Sequence, residues 1–408
     1  MSTSVSARRS ASAGGQAIAI LAISAAAMLA MVALIVDGGI AFAQQRITQN
    51  AADAASEAGA VVLLQHLVGV VPAKTDTDVY NAVQTSAASN GMATPVEGCY
   101  TDLSGNPLNS DGTTAADCPS ANVHVGDGTI PPCPTCPGSS ASGVRVSGSR
   151  PFGTFFAGAV GLPGFTASAT ATAISGYVSA LSGRVVPVTF PVYATGCDAQ
   201  GDAIPSTTPW PVGPNNVLAI PLCKDSEGNV GWLDWTPTAG GASELADAII
   251  PPPNNPTIVT PHWYYITATG NINASQVQSA MDFWNGTEIS LPIFSETCDG
   301  TPANLTNPVG QVADCAAGGG NLGGHGSNNW YFMVGFAAFH LNESFINGND
   351  GGQCNANYPA LVAGGNGGTS CLIGYFVGPT EAVSLGSAVG AGGGGDNSNA
   401  LTGVQLIR

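Results

Sequence analysis

The first pattern along the chain is unbroken hydrophobicity. Residues 17–36, AIAILAISAAAMLAMVALIV, carry no charge. As a helix rising 1.5 Å per residue, such a run is about 30 Å long, the thickness of a bilayer's hydrocarbon layer. Arg8 and Arg9 precede it and Asp37 follows it. The positive-inside bias then predicts a cytoplasmic tail over 1–15, a transmembrane helix over 16–37 and an extracytoplasmic bulk. Two other fates share some of these features. A cleaved signal peptide would use the small-residue triplet AFA at 41–43, but its apolar core is usually about 7–15 residues, shorter than this one. Pilin-type processing after Gly15 would leave Ile20 where pilin-type proteins carry a glutamate.

Beyond Asp37 the period becomes helical and the side chains become small. Proline is absent from 38–71, so nothing forces a break in the helix. Over RITQNAADAASEAGA, residues 46–60, Ile47, Ala51, Ala54, Ala58 and Val61 fall in one stripe, with Arg46, Asp53 and Glu57 on another face. Such a stripe either packs on the chain's own domain or lets another subunit's helix approach closely. Leu63, Leu64 and Leu67 then widen the apolar face, as expected where a helix docks on a globular body.

Later segments alternate with the strand period. Val144 and Val146 against Arg145 and Ser147 predict a short strand. Pro151, Phe152, Phe155, Phe156 and Val160, stopped by Gly161, predict a helix. Ala167, Ala169, Ala171 and Ala173 against Thr166, Ser168, Thr170 and Thr172 predict a second strand. Residues 98–143 read as a Cys/Gly/Pro-rich insertion, and 174–184 as a joint. From Val185 onward strands dominate, interrupted by helices at 243–250 and 275–284, the second opening with a Ser275/Gln278 capping box. The expected fold class is α+β: a single transmembrane helix continuing into a small α+β module (38–180), then a disulfide-stapled β-rich domain (181–408).

Composition narrows the function. Only 9% of residues are charged and the net charge is -17, so no basic surface exists to neutralise phosphates and nucleic acid is not an expected partner. All ten cysteines, Cys99, Cys118, Cys133, Cys136, Cys197, Cys223, Cys298, Cys315, Cys354 and Cys371, follow the apolar segment. An even number on the far side of a membrane predicts disulfides in an oxidising compartment. Neighbour pairing (99–118, 133–136, 197–223, 298–315, 354–371) gives short loops, although spacing does not fix connectivity.

The stretch GGQAIAILAISAAAMLAMVALIVDGGIAFAQQRITQNAADAASEAGA resembles the N-terminal module of TadG-like proteins, the TadE/G-like Tad-domain components of bacterial Tad (Flp) pilus assembly. A second block, VRVSGSRPFGTFFAGAVGLPGFTASATATA at 144–173, extends the resemblance. It implies a bitopic envelope protein that works by association rather than catalysis, with the bilayer and other pilus-assembly subunits as partners and self-association through the membrane-proximal helix as an option. It carries no catalytic residues that can be transferred.

The rest of the chain offers few candidates for chemistry. Cys118, His124, Cys133 and Cys136 have the residue types of a zinc site, but prolines flank the CxxC and disulfides are the expected state. HExxH, GxSxG and the P-loop pattern are absent. No cofactor and no enzymatic activity are expected. Trp232, Trp235, Trp263, Tyr264, Tyr265, Trp284, Trp330 and Tyr331 form an aromatic-rich set suited to a core or to a glycan-binding surface, so a membrane-anchored adhesin is one rival reading. An envelope hydrolase using Asp234 or Glu244 is the other.

Overall fold

A computed structural model describes residues 13–118, 124–181, 185–188, 190–191, 194–197, 203–205, 212–222, 242–250, 257–266, 275–299, 329–346, 370–378, 388–390 and 401–407. Its first element is one helix, α1 (Ala13–Leu67), 55 residues without interruption. The expected continuation of the apolar segment into the small-sided segment is therefore a single rod. Leu63 and Leu64, near its end, are buried.

Helix α2 (Asp76–Ser89) follows, unforeseen in the sequence. Its start is held by Asp78, whose carboxylate accepts from both the Thr75 N–H and hydroxyl at 2.8 Å. Those two bonds, chiefly, and Lys74 beyond them hold the Asp78 carboxyl below its ordinary range. Val79, Val83 and Ala87 form the buried face of α2. Gln84 clamps Val96 from both sides, donating to its carbonyl and accepting from its N–H at 2.9 Å each.

Three antiparallel strands, β1 (Glu97–Thr101), β2 (Gly143–Gly153) and β3 (Gly164–Leu181), make the sheet beneath these helices. The predicted alternation in β3 is observed as far as residue 171: Ala167, Ala169 and Ala171 are buried and Thr166, Ser168 and Thr170 are exposed, whereas Thr172, expected on the polar face, is buried like Ala173. Two expectations are corrected. Residues 174–181 are not a joint but the second half of β3, and 97–101, at the edge of the expected insertion, are strand. The helix expected from Pro151 is also not formed. Pro151 lies in β2, opposite Thr166. The β1 partner reaches only Ser147, so one side of β2 is free of a strand there, where proline's missing N–H is tolerated. Only a 3-10 turn, Ala157–Val160, survives of that helix.

The remaining strands are β4 (Phe190–Pro191), β5 (Ala194–Cys197), β6 (Ala203–Pro205), β7 (Leu218–Leu222), β8 (Ile258–Val259), β9 (His262–Ile266), β10 (Thr287–Asp299), β11 (Asn329–Phe345), β12 (Ser370–Phe376), β13 (Ala388–Gly390) and β14 (Thr402–Ile407), with helices α3 (Ala242–Ile249) and α4 (Ser275–Asp282) between them. A second sheet has the order β4-β10-β11-β12-β7, with β9 also on β11, while β5 and β6 pair separately. α3 and α4 pack on it through Leu245, Ile249, Val277, Met281 and Trp284. Gln278 does not spend its side chain on a cap: it donates to the Ser344 carbonyl and accepts from Ile346 N–H, fastening α4 to the end of β11.

The two sheets are not independent. β8, β13 and β14 all pair with β3, so residues from beyond 181 complete the first sheet. Val178 and Leu181 of β3 share a core with Tyr264, Phe294, Tyr331 and Phe336 of the second sheet. The division expected at residue 180 falls inside this strand.

α1 packs closely on the sheet and on α2. Thr48, Ala51, Ala52, Ala55, Ser56 and Ala60 are wholly buried, and a Cβ at Gly59 would stand 2.8 Å from Val83 Cγ2 and 3.2 Å from Val144 Cγ2. Small-to-large substitution in such packing costs about 1–3 kcal/mol, occasionally more. Gly59→Leu is therefore expected to lower the unfolding free energy of the full chain, measured by chemical denaturation, by about 1–3 kcal/mol or more. An unchanged unfolding free energy would refute close packing of α1 against α2 and the sheet at this position.

Candidate functional site

The feature that distinguishes this molecule is a bare apolar rod joined to a packed module. Ile18, Leu21, Ile23, Leu29, Leu34 and Ile35 are 66–75% exposed, and none of the most apolar window of α1 is buried inside the protein. Among the described residues it is the one helix long and apolar enough to cross a membrane. Burial begins eleven residues past Asp37, at Thr48.

Asp37, the first charge after the apolar run, holds the rod to the module. Its carboxylate accepts the N–H of Phe155 at 2.7 Å, of Phe156 at 3.1 Å and of Ala157 at 2.6 Å. These donors open the 3-10 turn at the tip of the β2–β3 hairpin. A little further along α1, Gln45 donates to the Ser168 carbonyl at 2.9 Å and Gln49 to the Thr170 carbonyl at 3.4 Å. β14 pairs with β3 only from Thr172 onward, so these amides occupy a stretch of β3 edge that, among the described residues, has no strand on that side. The hairpin thus runs back along α1 and ends level with Asp37. Sequence reasoning used Asp37 only as a topological marker and did not find Gln45 or Gln49. Their acceptors or donors lie about 120 residues away, and no local pattern links them.

The predicted contact stripe is out of phase with the packed face. Ala51 is fully buried against the chain's own sheet, Ala54, Ala58 and Val61 are half-buried beside it, and Ile47 is exposed. Ala51 therefore serves the module itself and is unavailable to a partner. The other four lie along its flank.

The cysteine-rich insertion is anchored by a buried carboxylate. Asp76, 3% exposed, accepts from Tyr100 Oη at 2.6 Å, Gly126 N–H at 2.8 Å and Gly128 N–H at 2.7 Å. Burial, then the Asp76 hydrogen bond and charge, push the Tyr100 hydroxyl far above its ordinary range. Cys99–Cys118 and Cys133–Cys136 are disulfides. Three of the four zinc-type candidates thus have no thiolate to offer, and the fourth, His124, sits 3.8 Å from Asp127. Among the described residues no group of His, Cys, Asp or Glu could hold a metal. Cys371 is also disulfide-bonded. Cys223, Cys315 and Cys354, named in the other pairings, lie outside the described residues.

The aromatic set divides. Tyr264 and Tyr331 are fully buried and Trp284 nearly so, with its indole N–H donating to the Ile249 carbonyl at 2.8 Å. These three are core, not a glycan platform. β9 and β11 set Tyr265 opposite Trp330 and Trp263 opposite Phe332 in register. Trp232, Trp235 and the carboxylate Asp234 lie outside the described residues.

With this geometry in hand, the comparison with known families is specific. Residues 40–173 match the family described as "Putative Tad-like Flp pilus-assembly". The chain carries a Tad-like domain. The match starts just after the Asp37 level of α1 and covers α2, β1, β2 and half of β3, so it coincides with the module built on the rod. No curated protein and no solved structure matches the chain.

The Asp76 junction yields a stability test. Asp76→Ala leaves a buried hydroxyl and two backbone N–H groups without an acceptor, at about 1–3 kcal/mol for each buried group left unsatisfied. The expected result is a loss of at least about 2 kcal/mol in denaturant unfolding of the oxidised protein, together with faster proteolysis within 102–142. Wild-type behaviour in both assays would remove Asp76 as the anchor.

Proposed function

We propose that this protein is a bitopic structural component of a bacterial Tad (Flp) pilus-assembly apparatus. One membrane helix would hold the Tad-like module and the distal β-rich region on the extracytoplasmic side. The observation that carries the reading is that the Tad-like module is packed on the same uninterrupted helix whose first half is bare and apolar. A lipid bilayer is the environment in which such a surface is stable.

Orientation is supported by Arg8 and Arg9 on one side of the apolar run and by disulfides in the region beyond it. Cleavage after Ala43 would cut α1 in mid-helix and discard the Asp37 clasp, so retention of the helix fits the fold better than removal. The role is association. Pilus-assembly subunits, or a second copy of the chain, would meet the flank of α1 that carries Ile47, Ala54, Ala58 and Val61, and the distal region would face outward.

In a pilus-forming host, loss of this chain is expected to abolish Flp pili in electron micrographs. Full-length protein should restore them, whereas a version exported without residues 17–36 should not. Normal piliation in the deletion strain would overturn the role, and rescue by the unanchored version would overturn the anchoring. Ala54→Leu with Ala58→Leu is expected to reduce co-purification of assembly subunits at unchanged membrane content. Undiminished co-purification would exclude the flank as the contact.

A further inference from the structure

We infer that the tip of the β2–β3 hairpin is a second membrane contact, a wedge seated in the lipid interface beside the point where α1 leaves the bilayer. The inference rests on the anchoring proposed above. Its ligand is the lipid bilayer itself, at the glycerol and upper acyl level of the leaflet that the module faces.

Four observations converge on that occupant. The tip exposes large apolar side chains: Phe155 is 73% exposed, Leu162 52% and Phe165 46%, with Phe42 of α1 at 78%. These side chains do not form a core, yet they lie at the end of the module nearest the bare rod. The tip is also fixed in height, because Asp37 binds it at the first residue past the apolar run. The apolar surface of the tip is therefore continuous with that of the membrane segment. Charge is excluded as well: residues 151–183 and 38–45 contain no Asp, Glu, Lys or Arg.

The fourth observation is the backbone. Lipid penalises any N–H or C=O left without a partner, and the tip pairs its groups internally. Asp37 takes three consecutive N–H groups. Thr154 N–H donates to the Pro163 carbonyl at 3.2 Å, and its hydroxyl donates to the Leu162 carbonyl at 2.5 Å. Leu162 N–H donates to the Ala157 carbonyl at 3.0 Å, and Gly161, at φ 90°, lets the turn close. Asp37 stays at the water-accessible edge, where a carboxylate holding three N–H donors is well compensated, and phenylalanine side chains beside it occupy the interfacial region. A single helix fixes depth but leaves the module free to tilt and turn about it; a second contact fixes orientation relative to the membrane plane.

The test places a photoreactive benzoylphenylalanine separately at Phe155, Leu162, Leu29 and Asp111 in the full-length protein, expressed in its membrane and irradiated there. Adducts are identified by mass spectrometry. The expected result is phospholipid adducts at 155, 162 and 29, and none at the solvent-exposed position 111. Lipid adducts at 29 with none at 155 or 162 would overturn the wedge and leave the anchor standing. Adducts of 155 or 162 with a protein, whether another subunit or a second copy, would likewise overturn it and assign the tip to that partner. No lipid adduct at 29 would overturn the anchoring reading and the wedge with it. Asp37→Ala should lower lipid adducts at 155 about tenfold relative to those at 29, the equivalent of about 1.4 kcal/mol. An unchanged ratio would show that the clasp does not seat the tip.

Discussion

The close approach of α1 to the β2–β3 sheet is the constraint on which the other features depend. Alanine, serine, threonine and glycine face the sheet from the helix, and alanine faces back from β3. Because neither surface carries bulk, the backbones come near enough for Gln45 and Gln49 to reach strand carbonyls and for Asp37 to reach the hairpin tip. A leucine-rich seam would hold the same elements together by greater apolar burial, but it would push the sheet outward and break those polar contacts. The composition that looks weak as a core thus serves geometry: it transmits the direction of the apolar rod into the module without a flexible joint.

The same strand that receives the helix also receives the rest of the chain. β3 is long enough to have two neighbourhoods. Its first half lies under α1 with one solvent-facing side, and its second half is covered on both sides, by β14, β13 and β8 along one edge and by the second sheet's core. The Tad-like match ends at residue 173, where β3 passes from one neighbourhood to the other. The family module and the region beyond the match therefore share an element rather than a linker.

Much of this was legible in the residues, and the misses have physical causes. The long helix followed from charge-free length and the absence of proline, and the alanine–threonine alternation of β3 followed from the strand period. The second-sheet strands and helices α3 and α4 were marked by apolar runs between turn residues. The packed face of α1 was misphased because the helical wheel weighted Ile47 and Val61. Burial in fact selects the smallest side chains, including Thr48 and Ser56, whose hydroxyls are satisfied within the helix by the Gln44 and Asp53 carbonyls. Pro151 was misread because proline suits both a helix start and a strand flank without a neighbour, and only the reach of β1 decides between them. The anchoring roles of Asp76 and Asp37 had no signal in the sequence. Each looks like an ordinary surface carboxylate until residues far along the chain bring N–H groups to it.

The pairing of residues 402–407 with residues 172–177 carries a consequence for biogenesis. A chain delivered vectorially across a membrane presents β3 long before β14, and strand pairing at such separation closes slowly. During that interval the second half of β3 is an apolar edge without its neighbour, the kind of surface that invites wrong pairing. The stapled insertion lies wholly among the earlier residues and can form its bridges meanwhile. Completion of the first sheet accordingly waits on the latest of the residues that pair with its central strand.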